Sequence, residues 1–162
     1  MKTSKPFLIL FLWIFVIATL HAAELYKVIS VTDGDTLKIL VNDKPEKIRL
    51  LYIDAPELGQ PYGKKAKQAL SDKIYFKYVQ IKREGRDQFG RTLGIIYVDQ
   101  ENINLSMIED GHAWVYRYYK ADPLFLVAEK AARFHKRGLW SLPKEQRQPP
   151  WVWRKNAWKK RK

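Results

Sequence analysis

Between Tyr26 and Ile53 the chain carries three runs rich in aromatic, β-branched and other apolar residues, joined by very short connections. Tyr26–Val31 and Leu37–Val41 bracket Asp33-Gly34-Asp35-Thr36. Asn42-Asp43-Lys44-Pro45 makes the next turn, and Lys47–Ile53 is the third run. Connections this short leave no room for a crossover helix, so the strands must fold back on one another as a meander.

The rest of the chain adds to this sheet. Leu58–Gly63 is a loop broken by Gly59, Pro61 and Gly63. Lys64–Ile74 carries Ala66, Ala69 and Leu70 at helical spacing. Lys77–Lys82 offers Tyr78, Val79 and Ile81 to a core. After a charged turn over Glu84–Gly90, Arg91–Val98 reads as another strand. Asn104 is placed to cap a helix over Leu105–Asp110, with Gly111 as its stop. Ala113–Tyr119 is aromatic and extended. Asp122 caps a further helix with Pro123 at its first position, lined by Ala128, Ala131, Ala132 and Phe134 and ended by Gly138. About five strands with a few small helices, mainly β in an α+β chain, predict a small closed barrel of the OB type. From Leu142 onward prolines, tryptophans and basic residues show no periodicity, which predicts an irregular tail partly packed by its tryptophans. There is no internal repeat.

Residues 1–23 have the order of a targeting segment. Lys2 and Lys5 precede an uncharged run, Phe7–Leu20, and His21-Ala22-Ala23 supplies small residues for cleavage. The run is short for a spanning helix, which needs about twenty residues. Cleavage would leave an exported, periplasmic or extracellular protein. An uncleaved segment would make residues 7–20 a membrane anchor. The expected organisation is a signal peptide over 1–23, a domain over 24–141 and a tail over 142–162. The 139 residues after the segment suffice for one domain with one core. There are no cysteines, so disulfides, thiolate chemistry and thiolate metal sites are excluded.

Thirty Lys+Arg against seventeen Asp+Glu give a net charge of +13 and a pI near 9.8. Loss of Lys2 and Lys5 would leave +11. Such a balance predicts attraction to polyanions and says nothing about fold. Against it, a local acidic cluster needs a reason. The first strand leads into Asp33 and Asp35, and the third leads into Asp54 and Glu57. If those strands are neighbours, Asp35, Asp54 and Glu57 fall close enough to share one ion. Oxygen ligands without sulfur suit a hard cation, Ca²⁺ or Mg²⁺. Arg49 and Arg91 provide guanidinium forks that match phosphate oxygens. A metal and two arginines around carboxylates suit phosphoryl transfer, with Glu57 as the free base. Arg49, Arg91 and Glu57 are expected to face solvent in the cleft.

Other readings compete. Asp-Gly is a common turn dipeptide, and Asp54-Ala55-Pro56-Glu57 reads equally as a strand end with a proline stop. A non-catalytic OB module would bind nucleic acid through Lys, Arg and aromatics alone, and a glycosidase would pair carboxylates. Neither uses Asp35, Asp54 and Glu57 together with flanking arginines. His112 and His135 have no evident partner, and an isolated histidine is usually structural. Trp114, Tyr116, Tyr118 and Tyr119 with Arg117 and Lys120 form an aromatic-basic run that suits base stacking along a single strand, or else a core edge with a solvated face.

Taken in order, these residues resemble the thermonuclease, or staphylococcal nuclease-like, family over roughly Lys27–Ser141. The motifs are Val31-Thr32-Asp33-Gly34-Asp35-Thr36, Ile48-Arg49-Leu50-Leu51 and Ile53-Asp54-Ala55-Pro56-Glu57. Tyr62-Gly63, Phe89-Gly90-Arg91 and Gly138-Leu139-Trp140-Ser141 follow. The resemblance implies a five-stranded OB barrel and a Ca²⁺-dependent phosphodiesterase acting on DNA and RNA, single strands favoured, to leave 3′-phosphate ends. It implies that Asp35, Asp54 and the Ala55 carbonyl hold Ca²⁺ and that Glu57 positions or activates water. Arg49 and Arg91 would bind the scissile phosphate, and Tyr119 the nucleotide. Arg117 stands where the family's prototype has a second tyrosine, and Ala55 replaces a threonine. The Leu58–Tyr62 loop is short beside the prototype's. No protein partner is implied, and the expected state is a monomer.

Overall fold

The structure is a computed structural model and describes residues 24–159. The expected targeting segment, residues 1–23, lies outside the described residues. Strands β1 (Tyr26–Val31), β2 (Thr36–Val41) and β3 (Lys44–Leu50) form the expected antiparallel meander. Asn42 and Asp43 take φ of 47° and 60°, so β2 and β3 are joined by a two-residue left-handed turn, and Lys44 already pairs with Val41. That turn matches the twist of the flanking strands.

The third strand ends sooner than the apolar run does. Leu50-Leu51-Tyr52-Ile53 reads as unbroken strand, but Tyr52 takes φ 69° and the chain bends there. A separate short strand, β4 (Ile53–Asp54), pairs instead with β8 (Trp114–Val115). Helix α1 covers Gly63–Ile74, as the spacing predicts. β5 (Tyr78–Arg86) extends well past Lys82 and pairs with both β1 and β6 (Thr92–Val98). A parallel pairing of β3 with β6 closes the sheet into a five-stranded barrel. β7 (Glu101–Asn102) adds to the β6 edge.

The core is filled by Val28, Leu37, Ile39, Ile48 and Ile96 of the barrel, all fully buried. It is capped by Ala66, Leu70 and Ile74 of α1. Ile103, Met107 and Ile108 of α2 (Ile103–Glu109) and Phe125 and Ala128 of α3 (Pro123–Phe134) complete it. Each of the large aliphatics contributes about 1.5–3 kcal/mol by leaving water.

Several local expectations change. Asn102, not Asn104, caps α2, accepting from Leu105 N at 3.0 Å. Asn104 is fully buried inside the helix. Its Oδ1 accepts from Ile96 N at 3.0 Å, and its Nδ2 donates to Leu51 O at 2.9 Å and Gly94 O at 3.0 Å. Asp122 does cap α3, with Pro123 first, but α3 ends at Phe134 rather than at Gly138, and Phe134 is exposed while Phe125 is buried. The tail is not wholly irregular. After short 3-10 turns at Gly138–Ser141 and Lys144–Gln146, Pro150–Lys159 forms helix α4. Trp151 packs edge-on against Trp114, which also meets Trp140, so a tryptophan cluster rather than a one-sided apolar stripe docks α4. Among the described residues no helix is long and apolar enough to cross a membrane.

Candidate active site

One cleft of about 760 Å³ opens beside the bend between β3 and β4. Its walls carry Asp33, Asp35, Asp54, Glu57 and Asp87, balanced by Lys47, Arg49, Arg86, Arg91 and Arg154. The turn before β2 is the first wall. A Cβ on Gly34 would lie 2.6 Å from the Ala55 side chain and 2.8 Å from that of Ala66. Only glycine lets the Asp33–Thr36 turn press this closely on α1 and on the chain after β4. Pressed there, the Asp35 carboxylate accepts from Ala55 N at 2.8 Å and from Thr36 Oγ1 at 3.0 Å.

The floor is Arg49. Its Nη1 donates to the carbonyls of Leu50 at 2.6 Å and Ile53 at 2.8 Å, stitching the bend that Tyr52 makes. Its Nε lies 3.2 Å from Asp35 Oδ1 and its Nη2 3.1 Å from Asp54 Oδ1. One guanidinium therefore draws together two carboxylates nineteen residues apart in sequence. Arg49 is only 9% exposed, so it is a buried part of the floor rather than a solvent-facing side chain. Asp54 is still more buried. Burial raises its pKa, and nearby Asp35 adds to this, while hydrogen bonding to Arg154 and the charge of Arg49 oppose it. Asp33 is pushed up to about 7, first by burial and then by the charge of Asp35.

Glu57 stands on a tied loop. Its backbone N donates to Gln60 Oε1 at 3.2 Å, and its carbonyl accepts from Gln60 N at 2.8 Å. A Cβ on Gly63 would lie 1.8 Å from the Glu57 carbonyl oxygen, so the start of α1 abuts this loop directly. Gln60 Nε2 also donates to Gln148 O, linking the loop to the C-terminal segment.

Arg91 comes from the turn that leads into β6. The parallel register Ile48↔Thr92 and Arg49↔Leu93 sets its strand next to that of Arg49. Asp87 Oδ2 takes Arg91 Nε at 2.6 Å, and Asp87 Oδ1 caps the backbone N of Phe89 and Arg91. Burial works against the Asp87 charge, but these bonds outweigh it and lower its pKa. Tyr116 and Tyr119 line the cleft, with Tyr116 N donating to Tyr52 O at 2.8 Å and the Arg49 guanidinium 5.9 Å from the Tyr116 ring. Arg117 lies outside the cleft lining and reaches toward Glu129, 3.9 Å away. Of the aromatic run, Trp114 is core and Tyr118 is exposed.

Asp35, Asp54 and Glu57 thus share one cleft, linked by guanidinium groups. Among the described residues, no three acidic or histidine side chains are grouped to hold a metal ion. Asp35 and Asp54 offer two buried carboxylates, and the all-oxygen set fits a hard cation that keeps part of its water. His112 lies elsewhere, its Nδ1 3.0 Å from Tyr62 Oη, and burial lowers its pKa. His135 meets Phe134 edge-on.

Arg154 escapes sequence reasoning altogether. From α4 it donates to both oxygens of Asp54, at 3.1 and 2.9 Å, and to Glu57 Oε1 at 2.7 Å. In sequence it is one of three arginines in a tryptophan-rich basic tail. Burial opposes its charge, but the bonds and charges of Asp54 and Glu57 prevail and raise its pKa.

Comparison with known proteins shows the family. A family model described as staphylococcal nuclease homologue matches residues 47–142. An uncharacterized endonuclease of Haemophilus influenzae is 44% identical over 116 residues, covering 71% of this chain, which spans 65% of that protein. A micrococcal nuclease of Shigella flexneri is 41% identical over 140 residues, covering 80% of this chain and 79% of that protein. Protein ParB of Escherichia coli is 38% identical over 156 residues, covering 89% and 87% respectively. With a family model matched over more than half of the chain, and with relatives at these identities, the chain belongs to the staphylococcal nuclease family and is a nuclease.

Proposed function

We propose that the chain is an exported, Ca²⁺-dependent endonuclease that hydrolyses DNA and RNA, single strands favoured, leaving 3′-phosphate ends. The observation that carries this reading is the pair of buried carboxylates, Asp35 and Asp54, gathered by Arg49 at the floor of an arginine-walled cleft. A cleft built only to bind polyanions has no use for them, because they repel phosphate.

Asp35, Asp54 and the carbonyl of Ala55 would hold the cation. When bound, Ca²⁺ supplies Lewis-acid polarisation of the phosphate and neutralises its charge. The chain's own groups do the rest. Arg49 and Arg91 hold the scissile phosphate from the floor and from the turn before β6, and they stabilise the charge that grows on its oxygens. Glu57, partly exposed on its tied loop, takes the proton of the attacking water. Tyr119 and Tyr116 give the adjoining nucleotide a face to stack on.

Digestion of single-stranded DNA in Ca²⁺ and in excess chelator tests this. The expected result is cleavage in Ca²⁺ alone, with 3′-phosphate ends. Undiminished cleavage in chelator sinks the metal mechanism, and binding without cleavage in Ca²⁺ makes the chain a binding module. N-terminal sequencing of the native protein tests export. The expected start is near Glu24, and a chain beginning at Met1 in the membrane fraction means an anchor.

A further inference from the structure

We propose that Arg154 is an active-site residue delivered by the C-terminal helix, and that its guanidinium and the metal ion exclude one another at Asp54. The inference rests on the Ca²⁺ reading above. Asp54 Oδ1 is shared by Arg49 Nη2 and Arg154 Nη1, each at 3.1 Å, and Oδ2 is held by Arg154 Nη2 at 2.9 Å. A carboxylate gripped on both oxygens by one fork has its strongest acceptor directions occupied. A divalent cation bound there would also sit against the Arg154 charge, and that repulsion is strong in a poorly solvated site. Metal therefore enters as Arg154 leaves.

The fold permits that exchange. The Arg154 side chain is 43% exposed, whereas Asp54 is 1% exposed, so the arginine is the mobile partner. Helix α4 is held by other contacts, Trp151 on Trp114 and the bond from Gln60 to Gln148 O, and stays docked when the side chain swings. The same guanidinium also pairs with Glu57 Oε1. With Arg154 in place, the candidate base and the candidate metal ligand are blocked together, and metal loading frees both. Once released, Arg154 still lines the same cleft as Arg49 and Arg91, where it adds a third guanidinium for the substrate phosphate.

Calorimetric titration with Ca²⁺ alone, without nucleic acid, tests this on the full chain and on Arg154→Gln and Arg154→Lys. Losing a half-exposed bidentate competitor should tighten Ca²⁺ binding about tenfold in Arg154→Gln. Arg154→Lys, which keeps the charge but not the fork, should fall between the two. Melting in chelator should show both variants folded, since the side chain is half in solvent. Equal or weaker Ca²⁺ binding by folded Arg154→Gln overturns the inference and leaves the nuclease reading intact. No Ca²⁺ binding by any of the three overturns the Ca²⁺ reading and the inference with it.

Discussion

Asn104→Ala separates two roles that one asparagine could have. As the cap of α2, its loss would cost about 1 kcal/mol. As the buried clamp described here, its loss removes three bonds at once. Ile96 N loses its acceptor inside the barrel, at about 1–3 kcal/mol for a buried orphan donor. Leu51 O loses a donor, at about 1 kcal/mol, while Gly94 O keeps Leu51 N at 2.9 Å. With the void left by the side chain, the expected loss is about 3–5 kcal/mol. At an m-value of about 2 kcal/mol/M the urea midpoint should drop by about 2 M. Asn102→Ala is the control and should cost about 1 kcal/mol. Because Asn104 pins Leu51 beside the bend that seats Arg49 and Asp54, nuclease turnover should fall even where the variant is folded. A loss below about 1 kcal/mol for Asn104→Ala, or a larger loss for Asn102→Ala, would refute the reasoning.

Arg91→Lys and Glu57→Gln should each lower turnover by about 10² or more with little change in melting; near-normal turnover in either would remove that residue from its role. Arg49→Lys should lose as much turnover and also about 2–4 kcal/mol of stability, because its Nη1 stitches Leu50 O and Ile53 O; an unchanged denaturation midpoint would contradict that. Asp35→Asn should abolish the rise in melting temperature caused by Ca²⁺. It should also melt lower than wild type in chelator, because Ala55 N and Arg49 lose their carboxylate; an intact Ca²⁺ shift would place the ion elsewhere. Burial lowers the His112 pKa below its ordinary 6.5, so between the two values the unfolded chain binds the extra proton and the fold loses stability as pH falls. Between pH 7.5 and 5, His112→Gln should therefore lose less stability than wild type; parallel denaturation curves would show that the ring is not desolvated as described.

What the sequence revealed, and what it hid, follows from the range of the forces involved. The meander was legible because alternation and turn dipeptides are local, and so were α1 and the Asp122-Pro123 start of α3. Asp35, Asp54, Glu57, Arg49 and Arg91 could be named as anomalies of charge in apolar contexts, and the structure brings them to one cleft. The end of β3 was hidden because nothing in Leu50-Leu51-Tyr52-Ile53 announces a left-handed tyrosine. Two asparagines two residues apart both suit a cap, and only the tertiary position of Ile96 and Leu51 decides between them. α4 has no amphipathic stripe, since it docks through Trp151 on a cluster assembled elsewhere. Arg154 meets Asp54 across 100 residues of chain, a separation that no local pattern marks.

The charge balance of the cleft has a kinetic consequence. Five carboxylates and five cations line it, so its walls are formally neutral while the protein as a whole carries +13. The pull on a distant strand therefore comes from the outer surface. That long-range attraction decays over about 8 Å at physiological ionic strength. Added salt should slow the encounter with nucleic acid steeply, since it acts on on-rate. Once a strand lies in the cleft, the contacts are too short and too poorly solvated for mobile ions to screen. Capture and cutting should thus respond differently to salt, with kcat/KM falling while kcat stays nearly level.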